Sequence, residues 1–287
     1  MANPRVALAT ISELPDLDDD GPALLAALAA EGVRGEPAVW DDRAVDWGAF
    51  DLVVVRSTWD YPDRYDEFMG WAEHVTGVSR LANPLPILRW NTDKRYLAEL
   101  TAAGLPVVPT TWIEPGRPFE LPDEEIVVKP TVSVGSRDTA RYPAAEAARA
   151  RAHVERLAGE GRIAMVQPYI HSVDATGETA LLWLGGAFSH AIGKGPLLRP
   201  GAKPVEGLYA PETICARTAS PDELAVASSV LDAVPGGPDG LLYARVDLVA
   251  GPEGPLVLEL ELTEPSLFLG YEAGAAPRLA KGIARWL

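Results

Sequence analysis

Apolar runs and polar turns alternate along the first third of the chain in a pattern that predicts a strand, a helix and a second strand. Residues 5–11 and 51–56 are short, mostly apolar runs of the kind that form buried strands. Residues 22–31 are rich in alanine and leucine and follow three aspartates, which favour the start of a helix. This order predicts a βαβ unit at the beginning of the fold.

Polar and aromatic residues follow the second strand, in the segment from Arg56 to Pro62. Open α/β sheets bind their ligands beyond the carboxyl ends of the strands, so this segment is a candidate for contact with a ligand. The alternative is an aromatic turn whose side chains only pack.

The middle of the chain predicts an α+β arrangement around a strand that carries a lysine. This strand, 126–130, contains Lys129 and precedes a Ser/Gly loop, 131–137, that includes Ser136. Such loops can fold over phosphates, although they are also common as plain turns. The neighbouring elements are predicted to be a helix over 91–103 capped by Asn91 or Thr92, a strand over 138–142, a helix over 144–157 and a strand over 164–170.

The last part of the chain predicts strands, two helices and one long irregular segment. The predicted elements are strands over 178–184 and 187–192, a helix over 221–233, strands over 244–248 and 258–262, and a helix over 277–287. Residues 193–218 are rich in proline and glycine and carry Lys194, Arg199 and Lys203. A loop of this length inside a compact domain is usually functional or mobile.

Acidic residues alternate with apolar ones along two of these strands. Asp247 lies in the first strand, and Glu259 and Glu261 lie in the second. Because successive side chains of a strand point to opposite faces, these carboxylates could converge. Converging carboxylates repel one another and resist burial, so we expect a divalent cation to compensate them, and hard oxygen ligands suit Mg²⁺ and nucleotide phosphates. The alternative is the solvent-facing side of an amphipathic hairpin.

Composition narrows the class of protein. A chain of 287 residues that is 47% hydrophobic can form two or three lobes with substantial cores. A formal net charge of -16 argues against a nucleic acid or an anionic membrane as a partner. No basic leader and no apolar run of about 18 residues occurs, which predicts a soluble cytoplasmic protein. The single cysteine, Cys215, excludes an internal disulfide and a thiolate metal cluster.

Seven short motifs occur in an order that resembles the ATP-grasp ligases, especially the branch that contains prokaryotic glutathione synthetase. The motifs are Asn91-Thr92-Asp93-Lys94, Val127-Val128-Lys129-Pro130, the loop ending in Gly135-Ser136, Gln167-Pro168-Tyr169-Ile170, Gly177-Glu178-Thr179-Ala180-Leu181, Arg245-Val246-Asp247 and Glu259-Leu260-Glu261. The resemblance implies an α/β and α+β protein in which two α+β lobes clamp ATP and follow a smaller α/β domain. We expect the small domain over 1–85, the central lobe over 86–170 and the C-terminal lobe over 171–287.

The resemblance also implies roles for individual residues. Lys94, Lys129 and Ser136 would contact phosphates, and Lys194 would serve the γ-phosphate. Gln167, Tyr169 and Ile170 would belong to the hinge that binds adenine, and Glu178 would lie near the ribose. Asp247, Glu259 and Glu261 would hold Mg²⁺, and Arg245 would stabilise the transferring phosphoryl group. The usual family pattern has Glu-x-Asn, so Glu261 departs from it and leaves open the number of metal ions and a contribution from Glu264.

Resemblance to these ligases implies that ATP phosphorylates a substrate carboxylate and that a nitrogen nucleophile then forms an amide, with release of ADP and phosphate. Within the superfamily, the short chain, the segment from Arg56 to Tyr61 and the segment from Leu258 to Phe268 look like the small ligases that include the D-cycloserine-forming enzyme, which closes O-ureido-D-serine into a ring. The substrate would be small and amino-acid-like, with Arg56, Arg199 and His190 as candidate contacts. Two alternatives stay open: an intermolecular amino-acid ligase and a non-catalytic ATP-binding regulatory protein. A symmetric homodimer is expected by analogy alone.

Overall fold

The computed structural model describes residues 3–198 and 213–287, and these residues form three β-sheets with helices packed around them. The helices are α1 (Gly21–Ala30), α2 (Tyr65–Val78), α3 (Leu85–Asn91), α4 (Tyr96–Ala102), α5 (Ala147–Gly159), α6 (Val173–Thr176), α7 (Pro221–Asp232) and α8 (Ala275–Trp286). The strands are β1 (Arg5–Thr10), β2 (Arg34–Val39), β3 (Leu52–Ser57), β4 (Leu81–Ala82), β5 (Thr111–Ile113), β6 (Ile126–Pro130), β7 (Ala140–Tyr142), β8 (Ala164–Pro168), β9 (Glu178–Leu184), β10 (Ala187–Lys194), β11 (Ile214–Arg217), β12 (Tyr243–Gly251) and β13 (Gly254–Glu261).

The N-terminal sheet is parallel and has the strand order β2-β1-β3-β4. Its central strands β1 and β3 are buried almost throughout, because helices and the C-terminal part of the chain cover both faces. The predicted strand–helix–strand start is confirmed. The carboxyl ends of β1 and β3 lead into residues 11–20 and 58–61, which face the middle of the molecule.

The central sheet is antiparallel and has the order β5-β8-β6-β7. Helix α5 covers one of its faces with Ala150, Val154 and Leu157, which recur every three or four residues and therefore share one side of the helix. The predicted strands over 126–130, 138–142 and 164–170 and the predicted helix over 144–157 correspond to these elements within a few residues.

The C-terminal sheet is antiparallel and has the order β11-β10-β9-β12-β13. In its register, Asp247 lies opposite Glu259, and Arg245 lies opposite Glu261. Directly opposed residues of antiparallel strands point to the same face, so these four side chains emerge together. Strand β12 is buried along most of its length. Ala244, Val246 and Leu248 pack on α4 and α7 from one face, and on the other face Tyr243 packs on the N-terminal domain and α8.

The predicted single helix over 91–103 is wrong. Helix α3 ends at Asn91, and α4 begins at Tyr96. Asn91 does not act as an N-cap, because its amide side chain instead binds the backbone of β13: Nδ2 donates to the Leu260 carbonyl at 2.8 Å, and Oδ1 accepts from the Leu262 N–H at 2.6 Å. The side chain therefore supplies partners to a sheet edge, a role that no local pattern signals.

The predicted loop over 193–218 also needs correction, because it contains a strand. Strand β11 pairs with β10 between Ala191 and Lys194 and forms an edge of the C-terminal sheet. Strand β2 and helix α2 were not predicted either. None of the helices in the described part of the chain is long and apolar enough to cross a membrane.

Candidate active site

One cavity of about 740 Å³ lies where the three sheets meet. Twelve of the fifteen predicted site residues line it: Lys94, Lys129, Ser136, Gln167, Tyr169, Ile170, Glu178, Lys194, Arg245, Asp247, Glu259 and Glu261. These residues come from positions as distant in sequence as 94 and 261, so the fold brings together motifs that are far apart along the chain.

The floor of the cavity is one face of the C-terminal sheet. Arg245, Asp247, Glu259 and Glu261 share this face through the β12–β13 register. Lys194 lies opposite Glu178 in the β10–β9 register and belongs to the same face. Gly177 precedes this pair at φ +68, and a Cβ there would collide with the Lys194 carbonyl, so glycine is required at this turn.

Cations interleave with the acidic residues on this floor. The Lys194 ammonium lies 3.0 Å from Asp247 Oδ2 and 3.1 Å from Glu178 Oε2. The Arg245 guanidinium donates to both oxygens of Asp247, at 2.9 and 3.0 Å, and also to Glu261. The carboxylates therefore have protein cations as partners, whereas their alternation along the two strands predicts compensation by a divalent cation.

Two further lysines approach Glu259 from the central part of the chain. Lys94 Nζ lies 3.2 Å from Glu259 Oε1, and Lys129 Nζ lies 3.9 Å from Oε2. Lys94 also donates to the Ser133 carbonyl at 2.7 Å and thereby connects the Ser/Gly loop to the acidic strand. The predicted loop residue Ser136 lines the cavity, but Ser133 is the one that contacts a lysine.

Burial and these neighbours act in opposite directions on the charged groups. Burial opposes ionisation of Asp247, but Arg245 and Lys194 outweigh it and hold the pKa of Asp247 below its ordinary value. Burial likewise opposes ionisation of Glu259, and Lys94 and Lys129 hold its pKa low. Two ionised carboxylates thus sit next to each other on the floor of the cavity.

Two other carboxyl groups at the cavity behave differently. Burial, assisted by nearby Glu261, raises the pKa of Glu264 to about 8. Burial also raises the pKa of Glu261 to about 7, although Arg245 opposes the shift. The Tyr61 hydroxyl hydrogen-bonds to Glu264, and both side chains line the cavity. These groups hold protons at a pH at which Asp247 and Glu259 are ionised.

The donor set fits Mg²⁺ that is shared with a phosphate ligand. Among the described residues, no three His, Cys, Asp or Glu side chains are grouped as a complete metal cluster. Mg²⁺ usually binds through one or two carboxylates together with substrate phosphates. Asp247 and Glu259 supply two adjacent ionised carboxylates, and the surrounding lysines and Arg245 suit the phosphates.

An apolar pocket occupies the end of the cavity beside the predicted hinge. Val108, Val127, Val173 and Val249 pack here with Tyr169, and Ile170, Leu198 and Leu258 join them. Gln167 is buried, and its Nε2 donates to Thr110 Oγ1 at 2.9 Å. A flat aromatic base fits such an environment, in which apolar side chains surround a short stretch of strand.

Two of the three predicted substrate residues, Arg56 and His190, do not line the cavity. Arg56 is almost completely buried behind it, where its guanidinium lies 3.7 Å from Asp18 and donates to the Pro265 carbonyl at 3.2 Å. These contacts give Arg56 a structural role between the N-terminal domain and the C-terminal lobe. His190 lies where α8 covers the sheet, and its Nδ1 is bonded to Ser189 Oγ at 2.8 Å. Arg199 lies outside the described residues.

Sequence reasoning missed several cavity residues. Asp16, Asp18 and Asp19 from the loop after β1 line the cavity, as do Phe268 and Tyr271. The sequence signal was the run of aspartates before α1, which was interpreted as a helix start only. Their contribution depends on which way the loop turns, and that is decided by packing against the C-terminal lobe.

The fold and the cavity together define the class of protein, an ATP-grasp ligase. A crystal structure of D-alanine–D-alanine ligase from Bacillus anthracis matches with a TM-score of 0.68 at 15% identity, over 99% of this chain and 97% of that one. A RimK domain ATP-grasp protein from Sphaerobacter thermophilus matches with a TM-score of 0.66 at 19% identity, over 99% of both chains. Likeness at such low identity shows the ATP-grasp fold.

Closer relatives show the family. A crystal structure of D-cycloserine synthetase DcsG matches with a TM-score of 0.89 at 40% identity, over 99% of this chain and 100% of that one. The cycloserine biosynthesis protein DcsG of Streptomyces lavendulae is 43% identical over 98% of both proteins. The family model of the N-terminal domain of D-cycloserine synthetase DcsG matches residues 6–83. The chain belongs to the D-cycloserine synthetase DcsG family, and the predicted fold and the predicted carbon–nitrogen ligase class are confirmed.

Proposed function

We propose that this ligase closes O-ureido-D-serine into D-cycloserine at the expense of ATP. The observation that carries the proposal is the lining of the cavity between the three sheets. Its apolar pocket suits adenine, its floor alternates cations with carboxylates, and the aspartates of the loop after β1 add further acidic groups to its lining. An amino-acid-like substrate would place its ammonium group near those aspartates and its carboxylate near the charged floor.

The charged residues of the cavity support binding of ATP phosphates. We assign Lys94 and Lys129 to the α- and β-phosphates, because they enter from the central part of the chain beside the Ser/Gly loop. Lys194 and Arg245 would face the γ-phosphate from the floor of the C-terminal sheet. Each of these cations has a carboxylate partner, and a phosphate would share or replace that partner.

Asp247 and Glu259 would hold Mg²⁺, with Glu261 beside them. The cation would neutralise phosphate charge during transfer. Arg245 contacts Asp247 and Glu261, so its guanidinium is already fixed in position when a phosphoryl group arrives. A fixed donor stabilises developing charge without having to reorganise.

The reaction would proceed in three steps on one substrate molecule. Transfer of the γ-phosphoryl group to the substrate carboxylate gives an acyl phosphate and ADP. The ureido nitrogen attached to oxygen then attacks the acyl carbon and expels phosphate, which closes the five-membered ring. Water would then cleave the bond between the ring nitrogen and the carbamoyl carbon, so that the carbamoyl group leaves as carbon dioxide and ammonia and D-cycloserine remains.

The three-part division of the chain supports this arrangement. Strands β1–β4 fall within residues 1–85, β5–β8 within 86–170 and β9–β13 within 171–287. We propose that these parts are the substrate-side domain, the central lobe and the C-terminal lobe with the metal site. A cytoplasmic location and a symmetric homodimer stay predictions.

Product analysis tests the proposal. The protein is incubated with Mg·ATP and O-ureido-D-serine, and products are separated by chromatography and identified by mass spectrometry. Parallel reactions contain the L-enantiomer, or a panel of amino acids with and without amines. An Asp247→Asn variant, which keeps the side-chain volume but removes the charge, serves as the inactive control. We expect ADP and the ring-closed product from the single D-substrate.

Other outcomes would redirect the assignment. ADP that forms only when an acid and a separate amine are supplied would make the protein an intermolecular ligase. ATP binding without turnover across the whole panel would favour a regulatory role. Full activity of Asp247→Asn would remove Asp247 from the metal site.

A further inference from the structure

A buried arginine lies directly behind the apolar end of the cavity. Arg141, on β7, is 6% exposed and does not line the cavity. Its Nε and Nη2 donate to the two oxygens of Glu125 at 2.7 and 3.2 Å, and its Nη1 donates to Asp174 at 2.9 Å. The guanidinium therefore connects the central sheet to α6 at the start of the C-terminal lobe.

The same guanidinium covers one face of the Tyr169 ring, with its central carbon 3.4 Å from the ring centroid. Tyr169 is held at two further points, because its hydroxyl donates to Asp174 at 2.6 Å and its backbone N–H donates to the Glu125 carbonyl at 2.8 Å. Glu125 and Asp174 therefore each bind both Arg141 and Tyr169. The ring and the backbone of Tyr169 are fixed by one closed set of contacts among Arg141, Glu125, Asp174 and Tyr169 itself.

Tyr169 is the point at which this set reaches the ligand site. It lines the cavity next to Ile170 and packs against the valines of the apolar pocket. Arg141 Nη1 also lies 3.5 Å from the Leu198 carbonyl, and Leu198 lines the cavity as well. Movement of Arg141 would therefore displace two residues of the pocket wall, although Arg141 does not itself line the pocket.

We propose that Arg141 is a positioning residue that sets the Tyr169–Ile170 backbone for recognition of the adenine base. The inference rests on the proposed nucleotide site. Recognition of a base edge by backbone groups requires placement to within about 0.5 Å, which needs a rigid support. Lysine cannot replace arginine here, because it lacks the planar fork that pairs with Glu125 while stacking on an aromatic ring.

Kinetics of Arg141→Lys, with Arg149→Lys as a matched control, test this role. Arg149 also lies over a tyrosine ring, 5.9 Å from the centroid of Tyr142, and pairs with Glu146, but on the exposed side of α5 away from the cavity. For Arg141→Lys we expect KM for ATP to rise about tenfold, because the ATP-bound state loses the stabilisation of about one charge-assisted hydrogen bond. Values of kcat and of KM for the amino-acid substrate should stay within about twofold of wild type. Arg149→Lys should change none of them.

The preference of the enzyme for ATP over a second nucleotide is a further measurement, which a general loss of stability would not change. The second nucleotide is purine riboside triphosphate, which lacks the 6-amino group of ATP. We expect wild type to prefer ATP and Arg141→Lys to lose most of that preference. An unchanged preference with unchanged KM for ATP would overturn the inference, even if the melting temperature falls. A fall in kcat alone would also overturn it.

Calorimetric titration with ATP separates this inference from the proposed function. If O-ureido-D-serine is not the substrate, ATP should still bind wild type more tightly than Arg141→Lys. If wild type does not bind ATP, the nucleotide site itself fails. Should Arg141→Lys not fold, Asp174→Asn replaces it, since it weakens the contacts to both Arg141 and Tyr169 at a half-exposed position. Asp174→Asn should also raise KM for ATP, and an unchanged KM would refute the positioning role of Arg141.

Discussion

Replacing Asn91 by alanine tests how the strand that carries Glu259 and Glu261 is held at the edge of its sheet. Strand β13 pairs with β12 on one side, and its other side needs partners from elsewhere. Asn91 supplies two of them through the Leu260 carbonyl and the Leu262 N–H. All three residues are buried, so water cannot easily take over these hydrogen bonds.

The expected change in the free energy of unfolding follows from the backbone groups that lose their hydrogen-bond partners. The Leu262 N–H is left without the Asn91 oxygen, and an unsatisfied buried donor costs about 1–3 kcal/mol. The Leu260 carbonyl keeps its hydrogen bond from the Tyr96 hydroxyl at 2.8 Å, so its loss amounts to one ordinary bond, about 1 kcal/mol. We expect Asn91→Ala to lower the free energy of unfolding by about 2–4 kcal/mol.

Urea unfolding followed by tryptophan fluorescence and circular dichroism measures this change. Thr76→Ala is the control, because Thr76 makes a local bond to the Ala72 carbonyl on an exposed part of α2. The control should shift stability by less than about 0.5 kcal/mol. A shift of similarly small size for Asn91→Ala would refute the reasoning, since it would mean that the edge of β13 does not depend on this side chain.

Three further predictions concern charge. Lys129→Ala should raise KM for ATP at least about tenfold, because one phosphate partner is lost, and an unchanged KM would remove Lys129 from the site. Because burial raises the pKa of Glu264 to about 8, its contribution to stability is complete below pH 4.5 and is lost as pH rises through 8. Melting temperatures of Glu264→Gln should therefore fall less than those of wild type between pH 5 and 8, and parallel curves would contradict this. Burial lowers the pKa of His153 to about 4, so its contribution to stability is complete above pH 6.5 and is lost as pH falls through 4. His153→Gln should therefore flatten the acid limb of the same melting curve, and an acid limb as steep as that of wild type would refute this.

The acidic strands show what a local pattern can predict. Alternation with a period of two places Asp247 on one face of its strand, and Glu259 and Glu261 on one face of theirs. Pairing of the two strands follows from their short connection in the sequence, and the structure contains the hairpin. The charge partners of these residues were less predictable. Lys94, Lys129 and Lys194 come from other elements, so their distances to the carboxylates depend on how those elements pack.

Arg56 and Asn91 illustrate the opposite case. Both are polar residues in segments that resemble functional motifs, and both are buried with backbone partners more than 160 residues away. A sequence motif shows that a polar residue is present, but whether its side chain turns toward a ligand or toward an unpaired carbonyl is decided by the surrounding chain. The same reason explains why the aspartates after β1 were interpreted as a helix start.

The amino-acid sequence alone is enough to establish the local elements with strong periodicity, the order of the ligase motifs and the excess of acidic residues. Each depends on residues close together in the chain or on their type alone. Tertiary structure decided which cations meet Asp247 and Glu259, which carboxyl groups hold protons and which polar residues leave the cavity. These properties arise from burial and from distances between segments remote in sequence, because electrostatic interactions and unsatisfied hydrogen bonds depend on three-dimensional surroundings.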